Sequence, residues 1–242
     1  MDSWLEYWNG SNKIYVSRRH QEAHYATLFA GVMPYLPSGL DRVMLDWGCG
    51  DALAAPRMAA RCNILLFDAA ENTREPLRGR YRDHPNIRTV DKAGVDDLKS
   101  ESIDFILVNS VIQYFSRAQF ERQLKIFYRL LKSDGALLIG DVIDPKSRMG
   151  DHIKTFLVFA WRERFFAAAL CGLALTFLSP YRKLEQNVGI SRYTEAEMIA
   201  ILDKAGFRGE RLPSNIAVSK VRSSYLARRR EIAGTAGSAV AR

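Results

Sequence analysis

The sequence predicts an α/β protein with a doubly wound, mostly parallel sheet and helices on both faces. Three observations predict it. Short apolar runs of strand length alternate with helix-length segments from residue 43 to residue 141. The first run, Val43-Met44-Leu45, stops at Asp46 and passes at once into Gly48 and Gly50, the residues a chain needs to turn tightly against a ligand. The second run ends in an acid, Asp68, about twenty residues beyond those glycines, where a carboxylate can accept from both hydroxyls of a ribose.

The elements follow in order. Residues 17–33 show a helical pattern that Pro34 and Pro37 end, and His20 and His24 share one of its faces. The segment before the first strand is rich in aromatics, among them Trp4, Tyr7, Trp8, Tyr15 and Tyr25. After the glycine turn, residues 52–61 read as helix with Pro56 in its first turns, where a missing N–H costs nothing. Residues 62–67 form the second strand, 72–81 a polar crossover helix and 87–90 a third strand. Residues 102–108 form a fourth strand whose carboxyl end is marked by Asn109-Ser110. Residues 119–131 make an amphipathic helix with Phe120, Leu124, Phe127 and Leu131 on one stripe. Lys132-Ser133-Asp134-Gly135 reads as a turn into a fifth strand, 136–139, closed by Gly140-Asp141. Thr194 and Glu197 carry the spacing of a capping box, that helix stops at Gly206, and two closing strands follow at 207–212 and 223–227. The tail from residue 231 has the composition of a disordered end.

Composition narrows the partners. The 242 residues are 48% hydrophobic, enough for one sizeable domain with a core rather than a disordered chain. A net charge of +8 raises nucleic acid or an anionic membrane as partners, although Arg228, Arg229 and Arg230 beside a Gly/Ala/Ser-rich end place part of it in solvated segments. Three cysteines, Cys49, Cys62 and Cys171, make no C-x-x-C pair, so neither a disulfide framework nor a zinc site is expected. A metal on His20 and His24 would need further ligands that the neighbouring sequence does not offer. The acidic, interrupted N-terminus is no secretory signal, which makes the cytoplasm the expected location.

The ordered series L-D-W-G-C-G-D-A, the acid at Asp68, D-F-I-L-V-N-S-V-I-Q-Y-F and L-K-S-D-G-A-L-L-I-G-D resembles the class I S-adenosylmethionine-dependent methyltransferases, of the small-molecule, type 11-like kind. The resemblance spans roughly residues 12–227 and is weakest between 144 and 189. It implies a Rossmann-like sheet of seven strands with the last antiparallel, an N-terminal helical lid and a helical insertion after the fifth strand. It implies a single domain over 1–230, with the lid at 1–37, the insertion at 145–190 and a tail at 231–242. S-adenosylmethionine would lie with its methionine and ribose against Gly48, Cys49 and Gly50, Asp46 organising the loop and Asp68 holding the ribose. Residues 91–95 would lie beside the adenine, and Asn109 and Ser110 beneath the sulfonium. The family's third glycine is Ala52 here, and a nicotinamide fingerprint would need glycine where Leu53 stands.

The insertion is the part that the resemblance leaves unexplained. Residues 156–161 are apolar, Arg162-Glu163-Arg164 interrupts, and residues 165–178 are uninterrupted apolar. Such a helix is about 21 Å long against a hydrocarbon core of roughly 30 Å, and joining the two runs would bury three charges, so no transmembrane span is expected. Two readings stay open: a buried lid over an apolar pocket, held slightly ahead, or a peripheral membrane contact through residues 156–183 with Arg162, Arg164, Arg182 and Lys183 at the headgroups. Both favour a small acceptor with a large apolar part, methylated at oxygen or nitrogen without a metal. His24, Gln113 and Tyr114 are the candidate catalytic residues, with His20 and Tyr15 behind them. A catalytically silent module that binds a membrane or protein is the second hypothesis. An RNA substrate ranks low, because Asn109-Ser110-Val111-Ile112 supplies no base-flipping motif of the N-P-P-Y type.

Overall fold

The computed structural model describes residue 9, residues 15–177 and residues 189–230. Trp4, Tyr7, Trp8, Arg182, Lys183 and the tail from 231 lie outside the described residues. Seven strands form one sheet: β1 (Val43–Trp47), β2 (Asn63–Phe67), β3 (Ile87–Thr89), β4 (Ile103–Asn109), β5 (Leu131–Ile143), β6 (Phe207–Arg211) and β7 (Arg222–Arg229), in spatial order β3-β2-β1-β4-β5-β7-β6. Pairing is parallel from β3 through β5, and β7 runs antiparallel to both β5 and β6. The strand order reverses between β1 and β4, which is where an open parallel sheet leaves a crevice beyond its carboxyl ends.

The helices among the described residues are α1 (Arg18–Val32), α2 (Ala55–Met58), α3 (Glu71–Arg80), α4 (Lys92–Asp96), α5 (Arg117–Leu130), α6 (Met149–Arg162), α7 (Phe166–Phe177) and α8 (Glu195–Lys204). They cover both faces because strand side chains alternate between them. Leu45, Trp47, Ile106 and Val108 join α5 and α8 in one core, while Met44, Leu66, Phe105 and Leu107 join α1, α2 and α3 in the other. The expected stripe on α5 is buried at Phe120, Leu124 and Phe127, and the helix starts in a capping box from Ser116 and Gln119. Thr194 and Glu197 form the second capping box, as their spacing requires.

Three local expectations are corrected. The helix expected over 52–61 shrinks to the single turn of α2, because Ala52 adopts φ +48 and the chain bends there. The turn expected over 132–135 is instead the bulged start of β5: its register against β4 jumps from Ile103↔Leu131 to Phe105↔Ala136. Over its described residues the apolar insertion folds as a hairpin of α6 and α7 around Arg164 (φ +61), and that part is no buried lid. Ala160, Phe165 and Ala169 pack on Ala23 of α1, yet Leu170 is 47% and Trp161 72% exposed. Ala169 packs in that cluster with Phe166 beside it, and at Gly172 an added Cβ would strike Val16, just before α1, at 2.2 Å, so small residues let α7 approach the start of α1 closely. Among the described residues no helix is long and apolar enough to cross a membrane.

Candidate active site

The glycine turn lies where β1 ends. Gly48 (φ +79) and Gly50 (φ +54) occupy the left-handed region. A Cβ on Gly48 would meet Val111 Cγ2 at 2.3 Å, so the loop after β4 closes down on the turn. Gly48 and Cys49 both donate backbone N–H bonds to Phe67 O (2.7 and 3.1 Å), which ties the turn to the end of β2. Asp68 continues that link: Oδ2 accepts from Gly50 N–H at 3.1 Å and Oδ1 from Ala70 N–H at 2.9 Å. A carboxylate has about four lone-pair sites, so both oxygens retain capacity for ligand hydroxyls.

Two carboxylates here, Asp46 buried and Asp68 half-buried, are both pushed up by burial. Asp46 is buried and accepts no hydrogen bond from any described residue; burial, then Asp68, pushes its carboxyl up to about 7. Asp68 is also raised by burial, although the Ala70 and Gly50 N–H groups and Arg74 oppose the shift. The Cys49 thiol is pushed well up by burial and by Asp46 and Asp68, so it stays protonated and is no nucleophile. Asp91 caps α4 by accepting from Gly94 N–H at 2.8 Å.

Helix α1 lies over this turn. Tyr25 OH donates to Cys49 O at 3.4 Å, Gln21 Nε2 donates to Asp51 Oδ2 at 2.5 Å, and the Arg57 guanidinium sits 3.9 Å above the Phe29 ring. Tyr15 adds a ring 6.1 Å from Tyr25 and 5.5 Å from His24, and burial drives its phenol up to about 12. Ala52 closes the far side: its carbonyl accepts from Tyr81 OH at 2.9 Å, which holds a backbone conformation that an alanine rarely takes.

The carboxyl ends of β4 and β5 carry a second polar group. Asn109 Nδ2 donates to Ser110 Oγ at 3.2 Å, and Ser110 Oγ donates to Asp141 Oδ2 at 2.7 Å. Asp141 also accepts from Arg222 Nη1 at 2.6 Å and from Asn215 Nδ2 at 3.0 Å. Burial works against its charge, but Arg222, Ser110 and Asn215 outweigh that and keep it below the usual carboxylate range. Ser110 (φ +58) and Asp141 (φ +65) both hold left-handed backbone, strain of a kind that recurs at functional sites. Gly140 makes room, since a Cβ there would lie 2.5 Å from Asn109 Oδ1. That Oδ1 is buried without a hydrogen-bond partner among the described residues.

The two histidines of α1 part company. His24 is held below its ordinary value by burial, with Asp141 pulling the other way, so it is neutral at neutral pH. His20 stacks on Phe165 at 4.8 Å and 18° on the hairpin side, and burial, then His24, pushes it to about 4; it is a packing residue. Gln113 and Tyr114 lie in the 3-10 turn Ile112–Tyr114, where Gln113 is buried with Oε1 unpartnered among the described residues. Among the described residues no three His, Cys, Asp or Glu gather as metal ligands. Asp141, Asn215 and Arg222 are the residues that sequence reasoning missed. Gly140-Asp141 was the only local signal, because Asn215 and Arg222 arrive from over seventy positions away.

Residues 45–139 match the methyltransferase domain family. Over that stretch the chain carries a methyltransferase domain of the kind that uses S-adenosylmethionine. Its fold is similar to human N-acetylserotonin methyltransferase in complex with S-adenosylmethionine (14% identity, 85% of this chain and 51% of that one, TM-score 0.55). It is likewise similar to a Thermotoga maritima methyltransferase described as a possible histamine N-methyltransferase (20%, 87% and 91%, TM-score 0.53). A third likeness is to the YcgJ protein of Bacillus subtilis (16%, 78% and 71%, TM-score 0.54). No curated protein matches the sequence. The match over residues 45–139 does not favour a catalytically silent module.

The residues present fit that cofactor. S-adenosylmethionine brings a sulfonium and an ammonium to a glycine turn where buried Asp46 has no hydrogen-bond partner among the described residues and half-buried Asp68 is also raised by burial.

Proposed function

We propose that the protein transfers a methyl group to an oxygen or nitrogen of a small, apolar or lipid-like acceptor, in the cytoplasm and without a metal ion. The observation that carries this reading is the hydrogen-bonded group of Asn109, Ser110 and Asp141 at the carboxyl ends of β4 and β5, with His24 of α1 near enough for Asp141 to act on its charge. When bound, S-adenosylmethionine supplies an electrophilic methyl on sulfur. The chain's task is then to hold the nucleophile in line and to exclude water.

Asp46 organises the turn and, with Asp68, supplies negative charge to the cofactor's cationic groups, while Asp68 accepts from the ribose hydroxyls. Gly48, Cys49 and Gly50 allow close backbone approach, and residues 91–95 border the adenine. Asn109 and Ser110 form the floor beneath the reacting carbon. Tyr15 and Tyr25 shut the site from above. His24 takes the acceptor's proton: burial keeps its imidazole neutral beforehand, and ionised Asp141 favours the imidazolium afterwards. Gln113 and Tyr114 orient the acceptor. The apolar character of the acceptor is supported by the hairpin that leaves β5 directly after this site and packs on the same helix α1.

The test is mass spectrometry of a lipid and metabolite extract incubated with the protein and isotope-labelled S-adenosylmethionine. A labelled product of low polarity supports the proposal; labelled product confined to polar metabolites or RNA overturns the acceptor class. His24→Asn should lower kcat by about 10²-fold or more with cofactor affinity unchanged. An unaltered kcat would remove His24 as the base.

A further inference from the structure

We propose that the α6–α7 hairpin is a docking surface for a membrane bearing anionic phospholipid, on which the protein lies without crossing. From residue 166 to residue 174 the exposed positions of α7 are Ala167, Leu170, Cys171 and Ala174, spaced at three and four residues, so over that length one face of the helix presents no charged or hydrogen-bonding side chain beyond a thiol. On α6 the exposed Val158 and Trp161 continue that face, and Trp161 meets Phe166 edge-on at 5.6 Å across the bend. Soluble chains bury such a face; here only the opposite stripe is used, against α1.

Charge complementarity selects the occupant. Lys146, Arg148, Lys154, Arg162 and Arg164 are all exposed around this face, and none has an ion-pair partner among the described residues. The acids of the same segment are fewer and engaged. Glu163 faces Arg19 at 3.6 Å, Asp144 Oδ1 accepts from Lys146 N–H at 2.7 Å, and Asp151 sits in the first turn of α6, where the helix dipole favours it. An apolar stripe ending in an exposed tryptophan and flanked by cations is the pattern of an interfacial helix, with indole and guanidinium at headgroup depth. A helix of 12 residues reaches about 18 Å, far short of the roughly 30 Å needed to span.

Full-length protein is mixed with vesicles of phosphatidylcholine alone or of phosphatidylcholine with phosphatidylglycerol, and flotation is read without cofactor, so the outcome is independent of methyl transfer. Flotation with the anionic vesicles only, weakened by added salt, is expected. Cys171 is the exposed cysteine, Cys49 and Cys62 being buried, so a polarity-sensitive dye placed there should shift to the blue on binding. Leu170→Glu and, separately, the pair Arg162→Glu and Arg164→Glu should each cut partitioning about tenfold or more while cofactor affinity and Tm hold. Three results overturn the proposal: no flotation with either vesicle, Leu170→Glu floating like the parent protein, or a dimer in size-exclusion chromatography that Leu170→Glu disperses, which would assign the face to a second copy. Val158→Glu repeats the test at an independent position.

Discussion

Strands β1 and β4 lie side by side, and each end of the pair carries buried carboxylate, on opposite terms. At the amino end, Asp104 accepts from Arg42 Nη1 at 2.7 Å, Lys132 Nζ at 2.8 Å and Val43 N–H at 2.8 Å. Burial would raise its pKa, but those three donors hold it below the ordinary range. At the carboxyl end, Asp46 is buried with no such company, and Asp68 is half-buried with the Gly50 and Ala70 N–H groups and Arg74 too weak to offset burial; both are raised. The same side chain thus secures the fold at one end and burdens it at the other. An uncompensated buried charge is costly. Its presence beside the glycine turn makes sense as pre-organised attraction for a cationic cofactor, which fixed groups provide without rearranging on binding.

The largest effect that could break this contrast is on the cofactor. Asp68→Ala should weaken S-adenosylmethionine binding about 100-fold, the loss of two charge-assisted hydrogen bonds, measured by calorimetry. Unchanged affinity would remove the ribose assignment. Next, Asp104→Ala should lower stability by about 2–3 kcal/mol in urea denaturation while leaving cofactor affinity within about twofold. If affinity fell in step with stability, the two ends would not be separate.

The two ends should also answer pH in opposite senses. Asp104 has a depressed folded pKa, so its contribution is present above the ordinary carboxylate value and is lost as pH falls through the folded one. Asp46 is raised to about 7, so the cofactor-free fold binds its proton more tightly than the unfolded chain does and loses stability as pH rises from about 4 to about 7. Cofactor affinity should climb over the same upper range as the carboxylate ionises, then level off. In Asp46→Asn that dependence should vanish, and the apoprotein should be more stable than the parent at pH above 7. A flat affinity profile in the parent protein would mean that Asp46 does not face the ligand's charge. The smallest effect concerns the edge of the turn: Ala52→Gly should raise stability by about 0.5–1 kcal/mol in thermal unfolding by releasing the φ +48 strain.

Much of this was legible along the chain. The run Val43–Leu45, the glycines at 48 and 50 and the acid at 68 mark the turn and its partner strand because each is a local requirement: a buried strand, positive φ, a carboxylate at a strand end. The capping boxes and the α5 stripe are local in the same sense. The bulge over 132–135 was not legible, since Lys132-Ser133-Asp134-Gly135 has turn composition and only the register against β4, with Asp104 waiting for Lys132, makes it part of a strand. Nor was the separation of His20 from His24 legible, because helical spacing puts both on one side while the hairpin claims one of them.

By itself, then, the sequence determined the alternation of elements, the glycine turn and its acids, since these depend on residues within a few positions of one another. Only the tertiary structure decided that Ser110, Asp141, Asn215 and Arg222 meet at the ends of β4, β5 and β7, and that the apolar insertion shows one face outward instead of roofing a pocket. The physical reason is range. Hydrophobic periodicity reports that a helix has an apolar face, but what covers that face depends on neighbours folded in from elsewhere in the chain, and along α7 they cover a single narrow stripe.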